Sequence, residues 1–440
     1  MAETAPTVVI RGGSVVGPGG ATRSDVVLER GVVAAVGADL DVPTGAVVLD
    51  AAGCLVGPGL VDLHTHLRQP GHEEAETIES GTRAAALGGF TAVVAMPNTD
   101  PPIDRAAVAQ EVLALGRGRP CEVLVAGAIT LGRCGEELAP MRELAALGIH
   151  LFTDDGSGVQ SGAVMRRALE YARGLGVTLA QHCEDAELAA GGAMHDGEWS
   201  SRLGLAGIPA AAEEAMLARD LALVRLTGAP MHFLHLSTAG SVALLAVAKA
   251  EGLPVTAEVT PHHLALTHAA VCGYDPVFKV NPPLRGVEDT RALAQALADG
   301  TIDAIATDHA PHPPEAKDLP FDEAPPGMLG LETALSVSIA ALDGVLAADA
   351  VMARLTGAPA SIAGVSVNHR PAGSAQGGPL VVGAAGHVCV FDPDETWTVD
   401  PHRQASRSRN TPFAGVALRG RVRHTVYAGV PVVVDAELQQ

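Results

Sequence analysis

"VDLHTHLRQPG" (residues 61–71) is an apolar run that ends in two histidines one residue apart, followed by an arginine. On a strand, side chains at i and i+2 share a face, so His64 and His66 can reach one point. The run opens a long alternation. From residue 58 onward, short apolar runs recur at "LVDLHTH", "TAVVAMP", "EVLVAGAIT", "GIHLFTDD", "VTLAQHC", "MHFLHLS", "PVTAEVT" and "IDAIATDH". Between them lie helix-like stretches such as "TIESGTRAAALG", "GAVMRRALEYARGLG", "AAAEEAMLARDLALVRLTG" and "TRALAQALADG", and "GLETALSVSIAALDGVL" supplies a last one. Repeated strand–helix units with buried strands imply a parallel sheet, and eight of them predict a closed (β/α)8 TIM barrel over residues 58–365. A doubly wound open sheet is the alternative architecture; the count favours the barrel.

The flanks have a different texture. Residues 6–57 read as short β runs with glycine turns: "TVVIRGGSVV", "DVVLERGVVAAVG" and "AVVLDAAGCLVGPG". The stretch "NHRPAGSAQGGPL" (368–380) is rich in Gly and Pro and reads as a loop or linker. β character returns in "VVGAAGHVCVFDP", "TWTVD" and "VYAGVPVVVD". Segments 1–57 and 366–440 are therefore expected to form the two parts of one small β-sandwich beside the barrel.

Composition narrows the class. The net charge of −21, from 29 Lys+Arg against 50 Asp+Glu, argues against nucleic acid or an acidic membrane as a partner. No uncharged apolar run is long enough to read as a membrane span, and "MAETAPTVVI" lacks a basic region followed by an apolar one, so a cytoplasmic protein is expected. Six cysteines lie far apart with no CxxC pair and read as reduced thiols.

A barrel carries its chemistry at the C-terminal ends of its strands. The first run ends in His64 and His66, the fourth in Asp154 and Asp155, the fifth in His182, the sixth in His235 and the eighth in Asp308. His232 and His235 are three apart and so face opposite sides of a strand; His235, nearer the strand end, is the one expected to point into the barrel. Asp154 and Asp155 likewise face opposite ways. The set suits zinc or a similar divalent ion, and it is too large for one tetrahedral centre; it suits two ions bridged by a carboxylate and a hydroxide. Cys183, His262 and His263 are read as buried packing or hydrogen-bonding residues. The glycine-rich stretches carry no GxxxxGK[ST] phosphate loop and are read as turns.

Taken together, "GLVDLHTHLRQPG", "MPNTDP", "FTDDG", "HCED", "PHHL", "NPPLRG" and "ATDHAPH" resemble the dihydroorotases, cyclic amidohydrolases of the amidohydrolase superfamily, in their longer bacterial type with a bridging aspartate. The resemblance runs nearly end to end. It implies reversible closure of N-carbamoyl-L-aspartate to L-dihydroorotate, the third step of pyrimidine synthesis, through metal-bound hydroxide and an aspartate acid/base. By the same resemblance His64 and His66 match the first pair of metal ligands, Asp155 the bridging carboxylate, His182 and His235 the ligands of a second ion, and Asp308 a ligand that is also the general acid/base. Arg68, Asn98, Asn281 and His312 match substrate-binding positions, as do His66 and the backbone around Pro326 and Gly327. Two Zn2+ ions per subunit, a homo-oligomer and a complex with aspartate transcarbamoylase are what the family leads one to expect.

The residues support that mechanism on their own terms. Two cations draw the pKa of a bridging water towards neutrality. A guanidinium two residues after a ligand matches a substrate carboxylate bidentately. Many relatives bridge their metals with a carbamylated lysine after the fourth strand, but the chain has only Lys249, Lys279 and Lys317, none before residue 249. This weakens the dihydropyrimidinase, hydantoinase and allantoinase readings. Arg68 and Asn98 also argue against neutral rings such as hydantoin, because a cation left unpaired against an uncharged substrate is costly. A non-catalytic scaffold subunit would be expected to have lost ligands, and all six are present. Three departures stand out: Gln69 where the family often has Glu, Pro326 in place of a bulkier residue, and the longer connection around 370–379.

Overall fold

A computed structural model describes residues 5–17 and 19–439. Residues 1–4 of the stretch "MAETAPTVVI", searched for a secretory signal, lie outside the described residues. Eight parallel strands follow one another around a closed barrel: β1 (Leu60–Thr65), β2 (Phe90–Ala95), β3 (Glu122–Val125), β4 (Leu151–Thr153), β5 (Thr178–Gln181), β6 (Met231–Phe233), β7 (Val255–Val259) and β8 (Ala304–Ile305). They form two arcs, β1–β3 and β4–β8. Parallel bridges between Gly127 and Phe152 and between Thr65 and His309 close the circle. These are the eight runs read from the sequence.

The strands read as nearly unbroken apolar text because both of their faces are covered. Val61, Leu63, Ala92, Val94, Ala180, Leu234 and Ala306 fill the interior, which Ile362 and Val365 plug from below. Phe90, Phe152, Leu179, Phe233 and Ile305 pack outward against the helices. The helix Gly162–Leu175 shows how the cover is built. Val164, Met165, Ala168, Leu169 and Ala172 recur at helical spacing and are buried. Ser161 caps its start, and Gly176, at φ 72°, ends it in the left-handed region that favours glycine.

The two flanks meet in one β unit. Leu55–Pro58 pairs antiparallel with Val388–Thr398, which pairs in turn with Ala417–Tyr427. These strands belong to a seven-stranded sheet, and a four-stranded sheet built from Val8–Arg11, Asp25–Glu29, Val32–Gly37 and Val47–Asp50 packs on it. Val8, Ile10, Leu28, Leu49, Val56, Val390 and Val426 share the core between them. The stretch read as a linker does more than connect. Its Gln376 is buried; it accepts from Thr91 Oγ1 at 2.8 Å and donates to Glu122 at 3.0 Å, tying the linker to β2 and β3.

Candidate active site

Asp155, just past β4, lies at the centre of the mouth, and its two carboxylate oxygens face different partners. Oδ2 lies 3.3 Å from His64 Nε2 and 3.5 Å from His66 Nε2. Oδ1 lies 3.7 Å from His182 Nδ1 and 3.6 Å from His235 Nε2. Asp308 Oδ1 sits 3.0 Å from His66 Nε2 and 3.5 Å from His64 Nε2. Two clusters of three thus share one carboxylate: His64, His66 and Asp155, and Asp155, His182 and His235. All of these side chains are buried.

The clusters have the chemistry of cation sites. His64 Nε2 and Asp155 Oδ1 are buried and lack any hydrogen-bond partner, which is costly unless something else occupies their lone pairs. Ligand atoms about 2.0–2.1 Å from a tetrahedral ion lie about 3.3 Å from one another, within the spread of these spacings. Burial opposes the ionised form of Asp155, but the facing histidines outweigh it and hold its carboxyl well below the usual range. Burial, reinforced by His235, lowers His182 to about 4, so it is a neutral imidazole with a lone pair to give.

Neighbouring residues set the direction of each lone pair. His64 Nδ1 lies 3.0 Å from Glu258 Oε1, and His66 Nδ1 lies 2.9 Å from Asn98 Oδ1. Both partners accept, so each Nδ1 carries the proton and each Nε2 is free towards Asp155. A register shift in the β1–β2 ladder between Asp62 and Thr65 lies beneath the two histidines, a local bend of the kind that re-aims side chains. Asp62 itself accepts from Thr307 N at 2.8 Å and Thr307 Oγ1 at 2.6 Å, which anchors the residue before Asp308. Arg68, His235 and Asp308 all have positive φ (62°, 29° and 45°). Such conformations in non-glycine residues cost energy and gather at functional sites.

The substrate-side residues named from the sequence surround this centre. Arg68 Nε donates to the Pro311 carbonyl at 3.1 Å, and its NH2 lies 3.4 Å from His312 Nε2. Among the described residues the guanidinium has no carboxylate within ion-pair distance. Burial lowers its pKa, and the carboxylates of Asp308 and Asp155 oppose that shift. His312 Nε2 donates to the Pro326 carbonyl at 2.9 Å, beside Gly327. Asn281 donates to Glu184 Oε1 at 3.3 Å, while its own Oδ1 is buried without a donor.

One reading changes. His232 and His235 were expected to face opposite sides, yet both are turned to the interior. His232 Nε2 lies 3.0 Å from Glu258 Oε2, the carboxylate that also holds His64. Strand alternation does not extend to His235, because β6 ends at Phe233 and the backbone turns through φ 29°. Asp154, by contrast, faces away as alternation requires and accepts from Ile129 N and Thr130 N at 2.8 and 3.0 Å. Cys183 stands outside both clusters, and His263 bonds Thr260 and the Pro282 carbonyl. Glu258 and Asn410 were missed. An acid inside the apolar run "PVTAEVT" is the one signal that pointed to Glu258.

A closed barrel with a β-sandwich at its side, and histidines and aspartates converging at the strand ends, places the chain in a fold class known from solved structures. L-Hydantoinase from Arthrobacter aurescens shares the fold with a TM-score of 0.87 at 26% identity, covering 99% of this chain and 98% of that one. Dihydropyrimidinase from Brevibacillus agri NCHU1002 shares it with a TM-score of 0.83 at 24% identity, over 98% and 96% of the two chains, a likeness of fold alone. Sequence divides this class further. The family described as Dihydro-orotase-like matches residues 53–241. The dihydroorotase of Pelotomaculum thermopropionicum is 49% identical over 432 residues, 97% of this chain and 99% of the relative. That of Mycobacterium tuberculosis is 47% identical over 438 residues, 98% of this chain and all of the relative. The chain belongs to the dihydroorotase family.

Proposed function

We propose that the chain closes N-carbamoyl-L-aspartate to L-dihydroorotate and opens the ring in reverse, with two divalent cations held by the paired clusters. His64, His66, Asp155 and Asp308 would hold the first; Asp155, His182 and His235 would hold the second. Nitrogen and carboxylate donors without thiolate suit zinc. When bound, the ions make a nucleophile available from water at neutral pH and polarise the ring amide carbonyl.

The protein's own groups do the rest. Arg68 receives the substrate carboxylate, with His312, Asn98 and the Pro326–Gly327 backbone around it. This places the ring amide over the Asp155 centre. The unpartnered Asn281 Oδ1 accepts a substrate N–H. In ring opening the attacking oxygen bonds to the amide carbon and the ring C–N bond breaks. Asp308 takes the proton from the attacking water and delivers it to the departing nitrogen, so it begins and ends ionised. The observation that carries this reading is a guanidinium with no carboxylate partner beside a carboxylate divided between two histidine pairs. By the family resemblance, we also assign a cytoplasmic homo-oligomer able to associate with aspartate transcarbamoylase; light scattering of the purified chain reads the oligomer.

The direct test is ring opening of L-dihydroorotate beside dihydrouracil, hydantoin and allantoin, before and after chelation. Turnover of dihydroorotate alone, lost on chelation and restored by zinc, is the expected result. Chelator-resistant turnover would overturn the metal assignment, and turnover of the neutral rings would overturn the carboxylate clamp. Arg68→Met is expected to raise KM for dihydroorotate about tenfold or more, since a charge-assisted bidentate contact is worth more than about 1.4 kcal/mol. An unchanged KM would remove Arg68 from carboxylate recognition.

A further inference from the structure

Between Val388–Thr398 and Ala417–Tyr427 the chain leaves the seven-stranded sheet and runs along the loops that follow β1 and β8. Ser406 Oγ and Arg407 N donate to Glu76, and Ser408 Oγ donates to the Ala75 carbonyl at 2.7 Å. Asn410 reaches furthest towards the substrate side and is 6% exposed. Its Nδ2 donates to the carbonyls of Ala310 (3.0 Å) and Gly327 (3.1 Å), and its Oδ1 accepts from His312 N (3.1 Å). Its own carbonyl accepts from Leu329 N at 3.0 Å.

One side chain therefore joins two points of the loop that follows β8, Ala310 and Gly327. The two points are in close contact: a Cβ on Gly327 would lie 2.8 Å from both Ala310 Cβ and His312 Nε2. Gly327 has φ 139°, a conformation open to glycine. On its other side the loop is held by Lys317, whose Nζ donates to the carbonyls of Pro325 (2.7 Å) and Pro276 (3.0 Å). Asn410 supplies a donor in one direction and an acceptor in the other. Aspartate would set a second acceptor against two carbonyls, and alanine would leave three buried backbone groups unpaired.

We propose that Asn410 is a positioning residue for substrate, setting the backbone of His312 and Gly327 so that they meet the carboxylate held by Arg68. The role rests on the reading of Arg68 and His312 as the carboxylate clamp. It also makes the β-sandwich, which carries none of the reacting groups, a participant in recognition through the segment it sends along these loops.

Steady-state kinetics with L-dihydroorotate on Asn410→Ala, Asn410→Asp, His312→Ala and the Asn410→Ala/His312→Ala double variant test this, with metal content and melting temperature measured in parallel. Both Asn410 variants are expected to raise KM about tenfold or more with a smaller change in kcat and unchanged metal content. The double variant is expected to lose less than the product of the two single losses, because part of the effect of Asn410 passes through His312. A folded Asn410 variant with wild-type KM, beside a raised KM for His312→Ala, would overturn the role of Asn410 alone. Multiplicative losses in the double variant would overturn it too. Failure of both single variants to fold would assign Asn410 to stability instead. A His312→Ala enzyme with wild-type KM would overturn the clamp itself.

Discussion

Asp308→Asn is expected to lower turnover of L-dihydroorotate by about 10²–10⁴-fold while metal content stays at the wild-type level. The substitution is isosteric. Asparagine tolerates the left-handed backbone that residue 308 adopts at φ 45°, so the local conformation survives. An amide oxygen can keep the place of Oδ1, which lies 3.0 Å from His66 Nε2 and 3.5 Å from His64 Nε2. The clamp of Asp62 on Thr307 is untouched. What disappears is the basic oxygen. In the native chain burial works against ionisation of Asp308, but His64 and His66 win and hold its carboxyl below the usual range. It is therefore ionised at neutral pH and has an oxygen that can accept a proton, which an amide does not. Kinetics paired with elemental analysis of the purified variant check this. Wild-type turnover in a metal-replete Asp308→Asn enzyme would remove the acid/base role, and loss of the metal would make Asp308 a ligand first.

The barrel was legible because each strand, covered on both faces, prints itself as an apolar run, and because the polar residues that end the runs share one end of the barrel. His64, His66, His182, His235 and Asp308 end their runs that way, Asp155 was set apart from Asp154 by the family resemblance, and the six converge. Two things were not legible. The first is depth. His232 and Glu258 lie one layer below the mouth, where a histidine and an acid inside strands look like ordinary alternation; only the contacts Glu258–His64 and Glu258–His232 show a buried chain beneath the centre. The second is separation along the chain. Asn410 belongs by sequence to the C-terminal β unit, in the text "SRSRNTPF", and nothing local to it marks a neighbour of His312.

Fold and family also part company for a physical reason. The hydantoinase shares the barrel and the sandwich because the buried apolar pattern sets those. The dihydroorotase likeness shows in the sequence, at 49% identity to the Pelotomaculum relative against 26% to the hydantoinase. Here an aspartate, Asp155, lies between the two histidine pairs, in a chain with no lysine before residue 249.

Asp155→Asn is expected to abolish binding of one ion, weaken the other, and lower turnover about 10³-fold or more, since the ions contribute several kcal/mol to the barrier. The argument is geometric. Each oxygen of Asp155 serves one histidine pair, Oδ2 at 3.3 and 3.5 Å and Oδ1 at 3.6 and 3.7 Å. An asparagine has one oxygen and one NH2. Whichever way the amide turns, the NH2 faces a pair of imidazole nitrogens that need a cation between them, and the shared negative charge is gone. A readout independent of activity follows from linkage. A ligand that binds only the folded state raises the melting temperature with its concentration. Stripped wild-type protein should therefore gain thermal stability in two resolvable binding steps as zinc is added, and Asp155→Asn in one weaker step at most. Two ions bound with wild-type affinity in the variant would mean that the centres do not share this carboxylate. The division of its oxygens between the two histidine pairs would then be a consequence of packing.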